Sequence, residues 1–128
     1  MSFHVGSAFI WHKVSAVDPH RHIVITEPDE LNGVVTVTLS SMRLLTSGSY
    51  GPHENTCIVR RGEHEFITRQ SYVRFDLTQF RDLGRLEHDL GNGYIEMHEP
   101  ASGELLDRLL AGVMTSKRTP QDIKILFI

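Results

Sequence analysis

The stretch "RHIVITEPDELNGVVTVTLSS", Arg21 to Ser41, decides the fold class. Its first part, "RHIVIT", is β-branched at the centre, a composition that suits a strand buried on both faces. "EPDELNG" reads as a turn, and Asn32-Gly33 is a dipeptide that favours tight hairpins. "VVTVTLSS" then alternates threonine with aliphatic residues, the period of a strand. Two such runs about one such turn predict an antiparallel hairpin at the centre of a β-rich chain.

On the N-terminal side, "SAFIWHKV" (residues 7–14) alternates loosely and reads as an earlier strand, separated from the hairpin by the turn "SAVDPH". On the C-terminal side, residues 42–55 are rich in Gly, Ser and Pro at their centre and are expected to form a long surface loop, a kind that is often functional. "TCIVRR" (residues 56–61) reads as a fourth strand. "FITRQSYVRFD" reads as one long strand with a bulge or as two short ones. "LTQFRDLGRLEHDLGNG" is ambiguous, with Leu77, Phe80 and Leu83 spaced for a helical turn before Gly84. "YIEMHE" (residues 94–99) alternates after a glycine-rich turn and is a candidate sixth strand.

The period then changes. Leu105, Leu106, Leu109, Leu110, Val113 and Met114 form one stripe at helical spacing, with Ser102 as N-cap. This predicts an amphipathic helix over residues 102–117. In "TPQDIKILFI", Thr119 is a candidate N-cap with Pro120 at the first helical position, although "IKILFI" also suits a strand. The expected architecture is mainly β: one domain over residues 1–128, a small barrel or curled sheet of mostly antiparallel strands closed by a C-terminal helix.

Bulk composition sets the limits. With 128 residues, 40% hydrophobic and 23% charged, the chain has the composition of one ordinary folded domain. A formal net charge of −3 argues against a protein that coats nucleic acid generally, but a local basic cleft is compatible with it. A single cysteine, Cys57, precludes an intrachain disulfide and points to a reducing, cytoplasmic compartment. No basic-then-apolar leader opens the chain, and no apolar run approaches membrane-spanning length, so no membrane association is expected.

Four groups of residues carry candidate chemistry. His20-Arg21-His22 combines a guanidinium fork suited to phosphate with imidazoles that move protons near neutral pH, and strand alternation places the two histidines on one face and the arginine on the other. Ser40 and Ser41 end a strand where it opens into the long loop and can donate to a phosphate; Thr36 and Thr38 read as ordinary strand residues. His53, Cys57 and His64 are zinc-ligand types without paired-ligand spacing, and Cys57 reads as a small buried hydrophobe. Arg60, Arg61, Arg69 and Arg74 offer a basic strip, though Glu63, Glu65 and Asp76 are interleaved with them and suggest a mixed solvated surface.

The order "GSAFIWHKV", "RHIVIT", "GVVTVTLSS", "SYVRFD" and a leucine-rich C-terminal helix resembles the MazF/PemK (Kid-like) toxin family. Members read Gly-Asp-[Ile/Val]-aromatic near the start, then arginine, proline and aliphatics, then a strand ending in Thr or Ser. The resemblance implies an SH3-like barrel of five to seven strands, a homodimer, and a metal-independent endoribonuclease of a toxin–antitoxin pair, cleaving single-stranded RNA and neutralised by a small antitoxin protein. It places Arg21 where charge is held at the scissile phosphate and Ser40 where the third strand ends. His20, Ser41 and Lys13 are then expected RNA contacts, and no cofactor or metal is called for. A non-catalytic barrel that binds a protein partner, with residues 42–55 as the contacting loop, is the competing expectation.

Overall fold

The computed structural model describes residues 2–12 and 20–127. The expected mainly β architecture is present: among the described residues six strands, all antiparallel, form one curled, half-barrel sheet. The strands are β1 (Ala8–Trp11), β2 (His20–Val24), β3 (Gly33–Ser41), β4 (Ile58–Val59), β5 (Ser71–Asp82) and β6 (Ile95–His98), in the spatial order β4-β5-β3-β2-β1-β6. Among the described residues three α-helices, α1 (Leu83–Gly91), α2 (Gly103–Thr115) and α3 (Gln121–Lys124), and a 3-10 turn at Ile125–Phe127 complete the fold.

The central hairpin forms as its sequence predicts, with Ile23 opposite Val37 and Arg21 opposite Leu39. The turn is stabilised differently from a simple Asn-Gly corner. Asn32 alone takes the left-handed conformation (φ 60°), and the Asp29 carboxylate accepts from the N–H groups of Leu31 and Gly33, each at 3.0 Å. Gly33 is required for another reason: a Cβ there would lie 2.0 Å from the Phe80 ring, which crosses above it on β5.

Alternation along the inner strands builds two cores. Ile23, Val35, Val37, Leu39, Val73 and Phe75 pack on one face beneath Leu105, Leu109 and Val113 of α2. Phe3, Phe9, Trp11, Val24 and Val34 pack on the other against Leu83 and Leu86 of α1. Strand β3 is therefore buried on both sides, Thr36 and Thr38 included. These are called below the α2 face and the α1 face.

Helix α2 buries Leu105, Leu109 and Val113 of its predicted stripe, with Leu106 and Leu110 partly buried beside them and Met114 exposed; Ser102 caps it by accepting from Leu105 N–H at 3.1 Å. The ambiguous stretch resolves against a helical turn at Leu77–Leu83. Residues 77–82 stay in β5, and the helix begins at Leu83, with Asp82 as N-cap accepting from Arg85 N–H. Leu83 and Leu86 point into the α1-face core, so tertiary burial outweighs the cost of Gly84 in the first turn. The loop at 42–55 contains a bridge between Leu44 and Tyr50. Thr119 does not cap α3: its hydroxyl is buried without a hydrogen-bond partner among the described residues, and Pro120 occupies the cap position.

Candidate functional site

Residue pairing fixes which side chains share a surface. One row runs across the sheet on the α1 face: Phe9, His22, Thr38 and Arg74, on β1, β2, β3 and β5 in turn. One step along, in the direction of the 42–55 loop, Trp11 pairs with His20 and Ser40 pairs with Tyr72. Phe9, Trp11 and His22 are buried, whereas His20 is exposed and Ser40, Tyr72 and Arg74 are half-buried.

The buried part is held by stacking. His22 stacks on Phe9 with ring centroids 5.3 Å apart, and its Nδ1 lies 3.2 Å from the Thr38 hydroxyl. The open part is polar. Arg74 donates through Nε and Nη2 to the two oxygens of Asp76, at 3.0 and 2.7 Å. This two-pronged pair fixes the guanidinium plane, and about a third of each side chain remains accessible (35% for both). The Arg74 hydrogen bonds hold Asp76 below the usual carboxylate range, although burial pushes the other way. His53 packs its ring 5.7 Å from that of Tyr72, bringing an imidazole from the long loop to the same edge.

Beyond Arg74, the pairing of β5 with β3 is irregular between Thr36 and Thr38. The irregularity carries Leu77, Gln79 and Arg81 over the α1 face as well. They wall a cavity of about 250 Å³ that His20, His22 and Thr38 line from the other side.

The sequence-predicted residues divide between the two faces. His20 and Ser40 lie on the α1 face. Arg21 pairs with Leu39 and Ile10, both of which pack in the α2-face core, so it projects to the opposite side. There its Nε donates to the Phe66 carbonyl at 2.8 Å. Ser41, one residue past Ser40, also belongs to the α2 side. The structure thus brings His20 and Ser40 together and does not bring Arg21 and Ser40 together. Lys13 lies outside the described residues. Among the described residues no group of three or more His, Cys, Asp or Glu is placed to hold a metal ion. Cys57 is a buried core residue whose thiol burial pushes up, and His64 is occupied by the Glu99 carbonyl at 2.5 Å.

The residues that sequence reading underweighted are Arg74 and Asp76. Their i, i+2 spacing on an alternating strand is the signal that places them on one face, yet the acidic neighbours made the arginines look like solvated surface. Arg81 offered no signal, because its position depends on the irregularity in β5.

Compared with known proteins, the chain matches no family model, no curated protein and no solved structure. Among the described residues no helix is long and apolar enough to cross a membrane.

Proposed function

We propose that this protein is a MazF/PemK-like, metal-independent endoribonuclease that cleaves single-stranded RNA on the α1 face of its sheet. The observation that carries the reading is the shared placement of a fixed guanidinium (Arg74), strand-end hydroxyls (Ser40, Tyr72) and an accessible imidazole (His20) on one curled surface. Cleavage of this class needs three things. The 2′-hydroxyl must lose its proton as its oxygen bonds to phosphorus. The charge on the phosphorane must be held. The departing 5′-oxygen must gain a proton. Arg74 supplies the second, since a planar fork can hold two phosphoryl oxygens and Asp76 orients it. Asp76, kept ionised by Arg74, is the acceptor for the 2′-hydroxyl proton. His20 is the imidazole within reach of that surface to protonate the leaving oxygen. Ser40 donates to a phosphoryl oxygen. In this reading the charge-holding role that the resemblance gives to Arg21 falls to Arg74, because Arg21 is directed to the other face.

The test is induced expression of wild type and Arg74→Gln in a sensitive host, with primer extension on total RNA. Growth arrest with cuts at recurring short sequences, lost in a folded Arg74→Gln protein, supports the reading. Intact RNA with folded wild-type protein overturns it.

A second reading, a non-catalytic module that binds a protein partner, is favoured by one feature. Leu44, Leu45 and Tyr50, 66%, 39% and 42% exposed, cluster about the Leu44–Tyr50 bridge of the long loop. A cognate antitoxin or a second copy of the chain is the expected occupant. Sedimentation of wild type and Leu44→Ser, alone and with the candidate partner, tests this.

A further inference from the structure

Arg81 crosses the sheet in an unusual way. It leaves β5, donates from Nε to the Thr36 hydroxyl on β3 at 3.3 Å, and ends with its guanidinium carbon 5.0 Å from the centre of the Trp11 ring on β1. It is the wall between two cavities, of about 250 and 240 Å³, both of which also touch Trp11. Among the described residues no carboxylate forms an ion pair with it, in contrast to Arg74, Arg85 and Arg108. A cation half removed from water normally acquires a counter-charge, because desolvation without one is costly. Burial accordingly pushes Arg81 below the usual arginine value.

The larger cavity is lined in the sense an anion requires. Among the described residues its polar members are the Arg81 guanidinium, the imidazoles of His20 and His22, the Thr38 hydroxyl and the Gln79 amide, with no carboxylate. The Nε of Arg81 is engaged by Thr36, while its terminal nitrogens remain available as a fork for two oxygens of one tetrahedral group. The space accommodates a phosphate ester with its sugar and is below the usual range for larger organic ligands.

We infer that the Arg81 cavity is a binding site for a phosphoryl oxyanion, distinct from the Arg74–Asp76 pair. On the ribonuclease reading, on which the identity of the ligand rests, the occupant is the phosphodiester next to the one that is cut. His20 lines this cavity, and Arg74 lies on the same α1 face of the sheet, so a strand laid along that face reaches both. The same chemistry in a free phosphate monoester would occupy the site without a strand.

Trp11 is the only tryptophan of the chain and lies directly beneath Arg81, so its emission reports on the site. The experiment is fluorescence titration of the full-length protein with inorganic phosphate and, separately, with a 2′-O-methyl oligonucleotide that cannot be cleaved. The expected result is a saturable change that weakens at least tenfold in Arg81→Gln, persists in part in Arg81→Lys and, with phosphate as the probe, is retained in Arg74→Gln. A rise in melting temperature with phosphate, in wild type only, confirms that folded Arg81 is the receptor. A response to the oligonucleotide alone assigns the site to a strand phosphodiester; a response to phosphate alone assigns it to a free phosphoryl group. No saturable change with either probe overturns the inference. So does an undiminished response in Arg81→Gln, or a phosphate response lost equally in Arg74→Gln. Arg81-dependent binding in a protein that cuts no RNA leaves this site standing and removes the ribonuclease reading.

Discussion

The indole N–H of Trp11 donates to Oδ2 of Asp89 at 2.9 Å, joining an inner strand of the sheet to helix α1 across 78 residues of chain. Asp89 is buried, and it also accepts from Arg85 and lies 3.3 Å from His88 Nδ1. Burial opposes its charge, and the hydrogen bonds from His88, Trp11 and Arg85 more than compensate, so Asp89 sits below the usual carboxylate range. Trp11 lines both Arg81 cavities, which makes this link a determinant of that site as well as of stability.

Replacing Asp89 by alanine removes a charge-assisted acceptor from a buried network and is expected to cost about 2 kcal/mol in urea unfolding. The pH dependence has a definite sign. A depressed folded pKa contributes stability above the unfolded carboxyl value, about 3.9, and loses it as pH falls through the folded value. Asp89→Asn should therefore lose part of the wild-type stability near neutrality and show a shallower decline in acid. Equal acid dependence in the two proteins would contradict this account.

His98 acts in the opposite direction. Its Nδ1 is 2.6 Å from Glu65 and its Nε2 2.5 Å from Glu96, so both ring nitrogens donate and the imidazolium is favoured. Burial disfavours the charge, but the two glutamates prevail and raise the pKa above the usual histidine value. A raised folded pKa gives stability that is complete below about 6.5 and is lost as pH rises through the folded value. Melting temperature should fall between mildly acidic and mildly alkaline pH in wild type and fall less in His98→Gln. NMR titration of the ring gives the same pKa independently.

Arg21 anchors the segment that connects β4 to β5. Its Nε holds the Phe66 carbonyl, while Arg108 holds Glu63 and the Ile58 carbonyl nearby. Arg21→Ala should cost about 1 kcal/mol and raise amide exchange across residues 60–67, because a carbonyl loses its donor. RNA cleavage, if present in wild type, should survive this change better than Arg74→Gln. Loss of cleavage in a stable, fully protected Arg21→Ala protein would return the charge-holding role to Arg21.

Gly112 sets α2 close against the Phe75 ring of the sheet. A Cβ at this position would lie 2.3 Å from Cζ of Phe75, a ring with no exposed surface. Although alanine is the better helix former, Gly112→Ala should destabilise by about 1–3 kcal/mol through overpacking. A stabilised variant in chemical denaturation would show that the core yields more readily than its burial suggests.

The sequence by itself determined the hairpin, the mainly β class and helix α2. Each rests on local periodicity: alternation in Val34–Leu39, and the three-to-four spacing from Leu105 to Val113, where one face must be buried whatever it meets. Alternation was also enough to separate Arg21 from His20 and His22. Only the tertiary structure decided that Arg74 shares a surface with Ser40, since that depends on which strand lies beside β3. It also decided the start of α1, where Leu83 and Leu86 gain a core that the local pattern does not reveal. The Arg81 cavity is the clearest case: an irregularity in β5 turns Leu77, Gln79 and Arg81 to the α1 face, and register between strands distant in sequence is set by packing that no short window contains.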